Sequence, residues 1–98
     1  MIITDKIREK GHQYRLKFDS HEDVLLDLTV CDGAYLKKGS QITEEKLTEL
    51  IGASDYERAK SRALWYLDRG AHTEKGLYDK LIKAKFSPEA SAKVIAKL

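Results

Sequence analysis

Three arginines and the single tryptophan of the chain fall on one face of the helix predicted over residues 55–69. Arg58, Arg62, Trp65 and Arg69 recur at spacings of 4, 3 and 4 residues, which places them on one stripe of an α-helix. An exposed tryptophan among guanidinium groups is suited to an acidic protein surface, or to phosphates with a stacked base. The structural alternative is that Trp65 is buried while the arginine heads reach water. Both interpretations leave the guanidinium groups available to a partner.

The next predicted helix is also basic. Lys80 and Lys83 lie within it, and we group them with the arginine stripe as predicted partner-binding residues. Lysines near a helix carboxy terminus also complement the helix dipole, so a solvated basic face is the alternative interpretation.

The other candidates for chemistry do not form a constellation. His12, His21 and His72 are scattered without metal-ligand spacing, and Cys31 has no CxxC partner. Cys31 lacks a motif that would orient a catalytic base, so we predict a small buried thiol. We therefore predict a binding protein that is not an enzyme, with no catalytic residue, metal, cofactor or small-molecule substrate.

Composition is that of a globular domain, with 42% hydrophobic and 35% charged residues. Residues 1–54 hold eight Lys/Arg against ten Asp/Glu, and residues 55–98 hold ten against six. The second half, at +4, is therefore the better candidate for an acidic partner. The lone cysteine, the charged amino terminus and the lack of a long apolar run favour a cytoplasmic protein without membrane contact.

The periodicity changes along the chain from that of strands to that of helices, so the predicted fold class is α+β. Apolar residues alternate in "HQYRLKF" (12–18) and "DVLLDLTV" (23–30), which predicts a three-stranded antiparallel meander with the amino-terminal strand. We predict a leader over residues 1–54, rich in β-structure with one or two short helices, and a three-helix repeat module over residues 55–98. A helix must cover the apolar face of the sheet.

Capping residues divide the helical part. Thr43 is predicted to begin a short helix with an apolar stripe at Leu47, Leu50 and Ile51. Ser54 and Glu57 read as a capping box that opens a second helix, which would end at Gly70.

Thr73 caps the next predicted helix, and Ser87 with Pro88 caps the last one. The core stripe of the 55–69 helix is predicted to be Tyr56, Ala59, Ala63 and Leu67. The apolar stripe of the last helix runs to Leu98, which favours a longer natural chain of which this is a fragment.

The stretch "RAKSRALWYLDRGAHTEKGLYDKLIKAKFSPEASAKVIAKL" (58–98) resembles the RecX family of recombination regulators. The resemblance is carried by an Ala-rich helix ending in Tyr66-Leu67 and Arg69, a Thr-Glu cap, a Leu-x-x-x-Leu helix and a Val-Ile-x-x-Leu helix. "LKKG" followed by "ITEEKLTEL" is similar to the joint that follows the leader in some family members. His72, Gly76 and Lys85 depart from the pattern, since the family often has a basic residue, an acidic residue and a glycine there.

The resemblance implies a protein that binds the RecA–single-stranded DNA filament and restrains recombinase ATPase activity and strand exchange, in recombination, DNA repair and the SOS response. It leaves open whether single-stranded DNA is contacted directly. Two other functions are weighed against it. One is a helix-turn-helix transcription factor that reads DNA with residues 74–86, and the other is a helical adaptor that binds proteins only.

Overall fold

A computed structural model describes residues 1–98 and confirms an α+β fold with a three-stranded antiparallel sheet and helices. The elements are β1 (Ile3–Glu9), β2 (Gln13–Phe18), β3 (Val24–Asp27), α1 (Leu28–Gly33), α2 (Glu44–Asp68), α3 (Glu74–Lys83) and α4 (Pro88–Lys97). The residues form two compact units, Met1–Ser54 and Asp55–Leu98, here called the sheet unit and the helical unit. None of the helices is both long enough and apolar enough to span a membrane.

The sheet has the order β1-β2-β3, with antiparallel pairing between neighbours. Ile3, Leu16 and Leu26 are fully buried on its inner face. The first turn contains Gly11 and His12, both with positive φ, because this reversal needs left-handed backbone. The alternating pattern of β2 thus predicts its buried face correctly at Leu16.

The third strand is shorter than the sequence indicates. Residues 28–30 were expected to continue it, but the strand ends at Asp27, whose carboxylate accepts a hydrogen bond from the Thr29 backbone N–H at 2.9 Å. This hydrogen bond caps the amino terminus of α1, and the helix places Cys31 in the buried core. Leu28 and Val30 therefore belong to a helix, because a local side-chain cap outweighs a short period-two pattern.

The apolar face of the sheet is covered within the sheet unit by residues that follow α1 and by the first turns of α2. The buried cluster comprises Ile3, Leu16, Leu26, Cys31, Leu36, Ile42, Leu47 and Leu50. Leu47 and Leu50 match the predicted stripe, whereas Ile51 is 42% exposed.

The predicted break between two helices at Ser54 is wrong. Helix α2 runs without interruption from Glu44 to Asp68. Ser54 is buried, and its Oγ accepts a hydrogen bond from the Asp27 backbone N–H at 2.7 Å. Its hydroxyl satisfies a strand end instead of capping a helix, and a sequence pattern alone cannot show that distant partner.

The helical unit packs α3 and α4 with the second half of α2. Its buried cluster comprises Ala59, Ala63, Leu77, Leu81, Ala90 and Val94, with Tyr56, Tyr66, Phe86 and Ile95 packed against it. The Thr73 and Ser87 caps are confirmed, since each side chain accepts from the backbone N–H three residues later. Ser87 Oγ also donates to the Asp55 carboxylate at 2.8 Å, which ties the start of α4 to α2.

Two predictions at the end of α2 need correction. Leu67 is 38% exposed, and Tyr66 packs against the core in its place. Gly70 does not adopt the left-handed conformation expected of a helix-ending glycine. The helix closes through the hydrogen bond from the Arg69 N–H to the Tyr66 carbonyl, which needs no positive φ.

Candidate functional site

Trp65 is exposed over 47% of its surface. The adjacent turns of α2 bury the small residues Ala59 and Ala63, so the helix approaches its neighbours closely on that side. Trp65 lies on another side of the helix, and the structure thus favours the interpretation in which its indole is available at the surface.

Two arginines of the predicted stripe lie against that indole. The Arg69 guanidinium carbon is 4.0 Å from the centroid of the Trp65 ring, and that of Arg62 is 5.7 Å from it. Arg62 precedes Trp65 by one helical turn and Arg69 follows it by one turn, so the indole is flanked from both directions along the helix. Both distances are in the range of cation–π attraction.

Tyr66 extends this surface from α2 to α3. Its ring packs edge-on against Trp65 with centroids 5.3 Å apart. Arg62 lies 6.0 Å from the Tyr66 centroid, and Lys80 Nζ of α3 lies 5.2 Å from it. The fold thereby brings together residues that are separated by eighteen positions, and we call this set the aromatic–cation cluster: Arg62, Trp65, Tyr66, Arg69 and Lys80.

His72 supports Tyr66 from the joint between α2 and α3. Its ring packs edge-on against the Tyr66 ring at 6.2 Å, and its Nε2 lies 3.2 Å from the Tyr66 carbonyl oxygen. The carbonyl oxygen accepts, so the Nε2–H tautomer or the imidazolium is the donor. His72 therefore positions the tyrosine that joins the two helices.

Sequence reasoning missed Tyr66 and His72 as members of this surface. Tyr66 lies four residues after Arg62, a spacing that would have identified it as a neighbour. Its position directly after Trp65 instead predicts a different face of the helix, since consecutive helical residues point in different directions. Nothing in the local sequence of His72 indicates its contact, which depends on how the joint folds back.

The two remaining predicted site residues are placed differently. Arg58 is partly buried, in contrast with the exposed Arg62 and Arg69. Lys83 is exposed in the last turn of α3 and contacts neither Trp65 nor Tyr66. The structure thus assembles four of the six predicted residues, Arg62, Trp65, Arg69 and Lys80, into the cluster.

The cations of the cluster lack acidic partners within the protein. Arg62, Arg69 and Lys80 take part in none of the salt bridges of the structure, which include Arg15 with Glu9 and Lys17 with Asp23. Aromatic rings attract a cation without neutralising it. The cluster therefore presents three positive groups to solvent on two adjacent helices, an arrangement whose charge is suited to anions.

The other reactive side chains do not form a site. Cys31 is a free, fully buried thiol, as predicted, and burial raises its pKa to about 11. A thiol of that pKa is a poor nucleophile at neutral pH. No group of three or more His, Cys, Asp or Glu side chains is placed to hold a metal ion.

Two shallow grooves lie on the helical unit near the end of α4. One of about 210 Å³ is lined by Leu67, Leu77, Ile95, Leu98 and neighbouring residues. The other, of about 480 Å³, includes Glu74, Lys75, Tyr78 and Leu98. The first groove is also lined by His72 and Glu74, and no hydrogen bond or ion pair joins those two side chains.

Comparison with known proteins gives consistent matches over the whole chain. The family model described as "RecX, first three-helix domain" matches residues 59–98. The chain is 31% identical over 98 residues to "Regulatory protein RecX" of Streptococcus sanguinis (strain SK36). It is 29% identical over 98 residues to the protein of that name from Streptococcus gordonii (strain Challis).

The matches to the two relatives cover the whole of this chain. The chain in turn spans only 38% of the length of each relative. The solved structure "Crystal structure of regulatory protein RecX" superposes with a TM-score of 0.72 at 23% identity. That superposition covers 99% of this chain and 48% of the other, so the sheet and the three-helix arrangement are shared.

Proposed function

The chain belongs to the RecX family of regulatory proteins, and on that premise we propose that it binds the RecA–single-stranded DNA filament and restrains recombinase ATPase activity and strand exchange. The curated relatives are named as regulatory proteins, in line with a role in binding. The chain spans 38% of their length, so the proposal concerns what this part contributes.

The observation that carries the proposal is the aromatic–cation cluster. Arginine, tryptophan and tyrosine are the residues most enriched at the energetic centres of protein interfaces. Here they lie together at the surface of two helices, and the cations have no carboxylate of their own. We therefore propose this cluster as the filament-binding surface, with Arg58 and Lys83 at its margin.

The proposed mechanism is mechanical. A helical module held between neighbouring recombinase subunits would hinder the subunit rearrangements that accompany ATP hydrolysis and strand exchange. Restraint of this kind requires no reactive group on the regulator, which agrees with the buried, weakly acidic state of Cys31.

The test is co-sedimentation of the 98-residue chain with RecA filaments preformed on single-stranded DNA, beside naked single-stranded DNA, across a salt series. We expect the chain to pellet with filaments and not with the naked strand. Exchanging Arg62→Gln together with Arg69→Gln should weaken filament binding by at least about tenfold, the size of one interface hot spot.

The matched control is Lys60→Gln, which removes one positive charge from an exposed position of the same helix away from the indole. It should change filament binding by less than about twofold, as expected of a charge outside the interface. Equal losses in both variants would contradict the proposed surface. Failure of the parent chain to pellet would contradict the proposed function for this part of the family.

The two alternatives give different results in the same assay. A transcription factor would bind duplex DNA with a steep salt dependence. The first turns of α3 contain Glu74 and Asp79, both exposed, which disfavours an approach to phosphates. A protein adaptor would bind neither the filament nor DNA.

A further inference from the structure

One face of the Trp65 ring is already covered by a cation. At 4.0 Å from the ring centroid, the Arg69 guanidinium is in stacking contact with the indole. A nucleic-acid base would need the same space to stack on this face. Arg62, at 5.7 Å on the preceding turn, restricts approach from the other direction along the helix.

The ring of Tyr66 is occupied as well. Trp65 and His72 pack edge-on against it, and Arg62 and Lys80 lie within 6.0 Å of its centroid. Tyr66 is also partly buried against the core of the helical unit. The two aromatic rings thus hold cations in place, and a base would have to displace a cation to stack on the face that the cation covers.

Arg62 and Arg69 have no acidic partner in the protein, so their N–H groups remain open to a ligand. A guanidinium that stacks on a ring through its face keeps its edge available, and the planar fork of N–H donors matches the two oxygens of a carboxylate. Because the rings restrict Arg62 and Arg69, less side-chain freedom is lost when they bind an anion. The pair is preorganised for carboxylates.

The surroundings favour a protein over a nucleic acid. Trp65 keeps 47% of its surface exposed beside the arginines, and such apolar surface packs against protein but gains nothing from phosphates. With ten basic and six acidic residues, the helical unit is only at +4.

We propose that the aromatic–cation cluster binds carboxylates on an acidic, partly apolar segment of a protein partner, and that it does not bind single-stranded DNA. This rests on the proposed function only in identifying that partner as the recombinase in the filament. The chemistry of the surface follows from the cations held on the rings, the unpaired guanidinium groups and the exposed part of the indole.

The experiment separates the two anions by probe and by variant. Fluorescein-labelled probes are titrated with the 98-residue chain in low salt. One is a peptide of about twelve residues that mixes glutamate and leucine, and the other is an oligothymidylate of about twelve nucleotides. The variants are Arg62→Lys with Arg69→Lys, the single Arg69→Lys, and Lys60→Gln as the control.

Lysine keeps the charge but not the bidentate fork, so the lysine variants separate binding through the fork from attraction to charge alone, while the two probes separate carboxylate from phosphate. We expect the peptide to bind more tightly than the oligothymidylate. The double lysine variant should weaken peptide binding by about tenfold and oligothymidylate binding by less than about twofold. The single variant, which changes the fold least, should give an intermediate loss, and thermal melts verify that each variant is folded.

Three results would overturn the inference: tighter binding of the oligothymidylate, quenching of Trp65 fluorescence by stacked bases, or binding of neither probe. Trp65 is the only tryptophan, so its emission reports on this site alone. The outcome of filament co-sedimentation is independent of the outcome of the peptide titration. A chain that captures the peptide through Arg62 and Arg69 but ignores RecA filaments refutes the proposed function and leaves the carboxylate chemistry standing.

Discussion

In the sheet unit Arg15 lies between two carboxylates, whereas in the helical unit Arg62 and Arg69 lie against an indole. Arg15 is 3.0 Å from Glu9 and 3.8 Å from Asp23, and Lys17 is 3.3 Å from Asp23. The pair with Glu9 joins β2 to β1, and the pairs with Asp23 join β2 to the turn that precedes β3. In contrast, no carboxylate neutralises Arg62, Arg69 or Lys80.

The buried serines show the same contrast. Ser54 in the sheet unit accepts a hydrogen bond from Asp27, and Ser91 in the helical unit is fully buried with no hydrogen-bond partner for its Oγ.

The comparison teaches that the sheet unit uses its polar groups for its own stability, whereas the helical unit leaves several of them unsatisfied. Unsatisfied groups inside the core cost stability and bring no evident gain. Unpaired cations at the surface cost little and remain available to a partner. Stability and binding can thus be changed separately in the helical unit.

The largest effect on stability is expected from Ser54→Ala. The change leaves the buried Asp27 N–H without an acceptor, which costs about 1–3 kcal/mol, partly offset by about 0.5 kcal/mol from the higher helix propensity of alanine. Chemical denaturation should show a net loss. The exposed Ser61→Ala in the same helix is the control and should be neutral or slightly stabilising; equal effects at both serines would break the comparison.

Ser91→Ala should have the opposite sign. Removing a buried hydroxyl that lacks a partner relieves about 1 kcal/mol of desolvation cost, and alanine is the better helix former. The midpoint of denaturation should rise. Ser87→Ala removes the cap of α4 and its hydrogen bond to Asp55. This change should lower the free energy of unfolding by about 1 kcal/mol. A destabilised Ser91→Ala variant would mean that the hydroxyl is satisfied after all.

The smallest effect is expected from Lys85→Gly. Lys85 ends α3 in the left-handed region, where a side chain costs about 1 kcal/mol and glycine is favoured. The greater freedom of glycine in the unfolded chain offsets part of this gain, so thermal unfolding should shift up by the equivalent of about 0.5 kcal/mol. Lys85→Ala removes the same charge and keeps the strain; a similar gain there would assign the effect to charge.

Much of the fold follows from local patterns. Alternation around Leu16 indicates a buried strand face, and Thr73 and Ser87 begin helices because their side chains accept from backbone N–H groups three residues later. The same rule misplaces Ser54, since its pattern is that of a cap while its hydroxyl is used twenty-seven residues away. The local sequence does not determine which of two possible hydrogen-bond partners a serine hydroxyl has in the folded protein.

The candidate site divides in the same way. The spacing of Arg62, Trp65 and Arg69 places them on one helix face, since positions three and four apart meet on any α-helix. The exposure of Trp65 and the contact of Lys80 with Tyr66 depend on how α3 packs against α2, which helical periodicity alone does not determine.

By itself, the sequence determined which residues share a helix face, where α3 and α4 begin, and that the cations outnumber the acids after residue 54. Those properties depend on backbone geometry and on covalent order. Only the tertiary structure decided that β3 ends at Asp27, where α1 follows, and that α2 continues through Ser54. It also decided that the Tyr66 ring contacts cations of two helices. These depend on partners distant in the chain, which become neighbours only when the apolar residues are buried together.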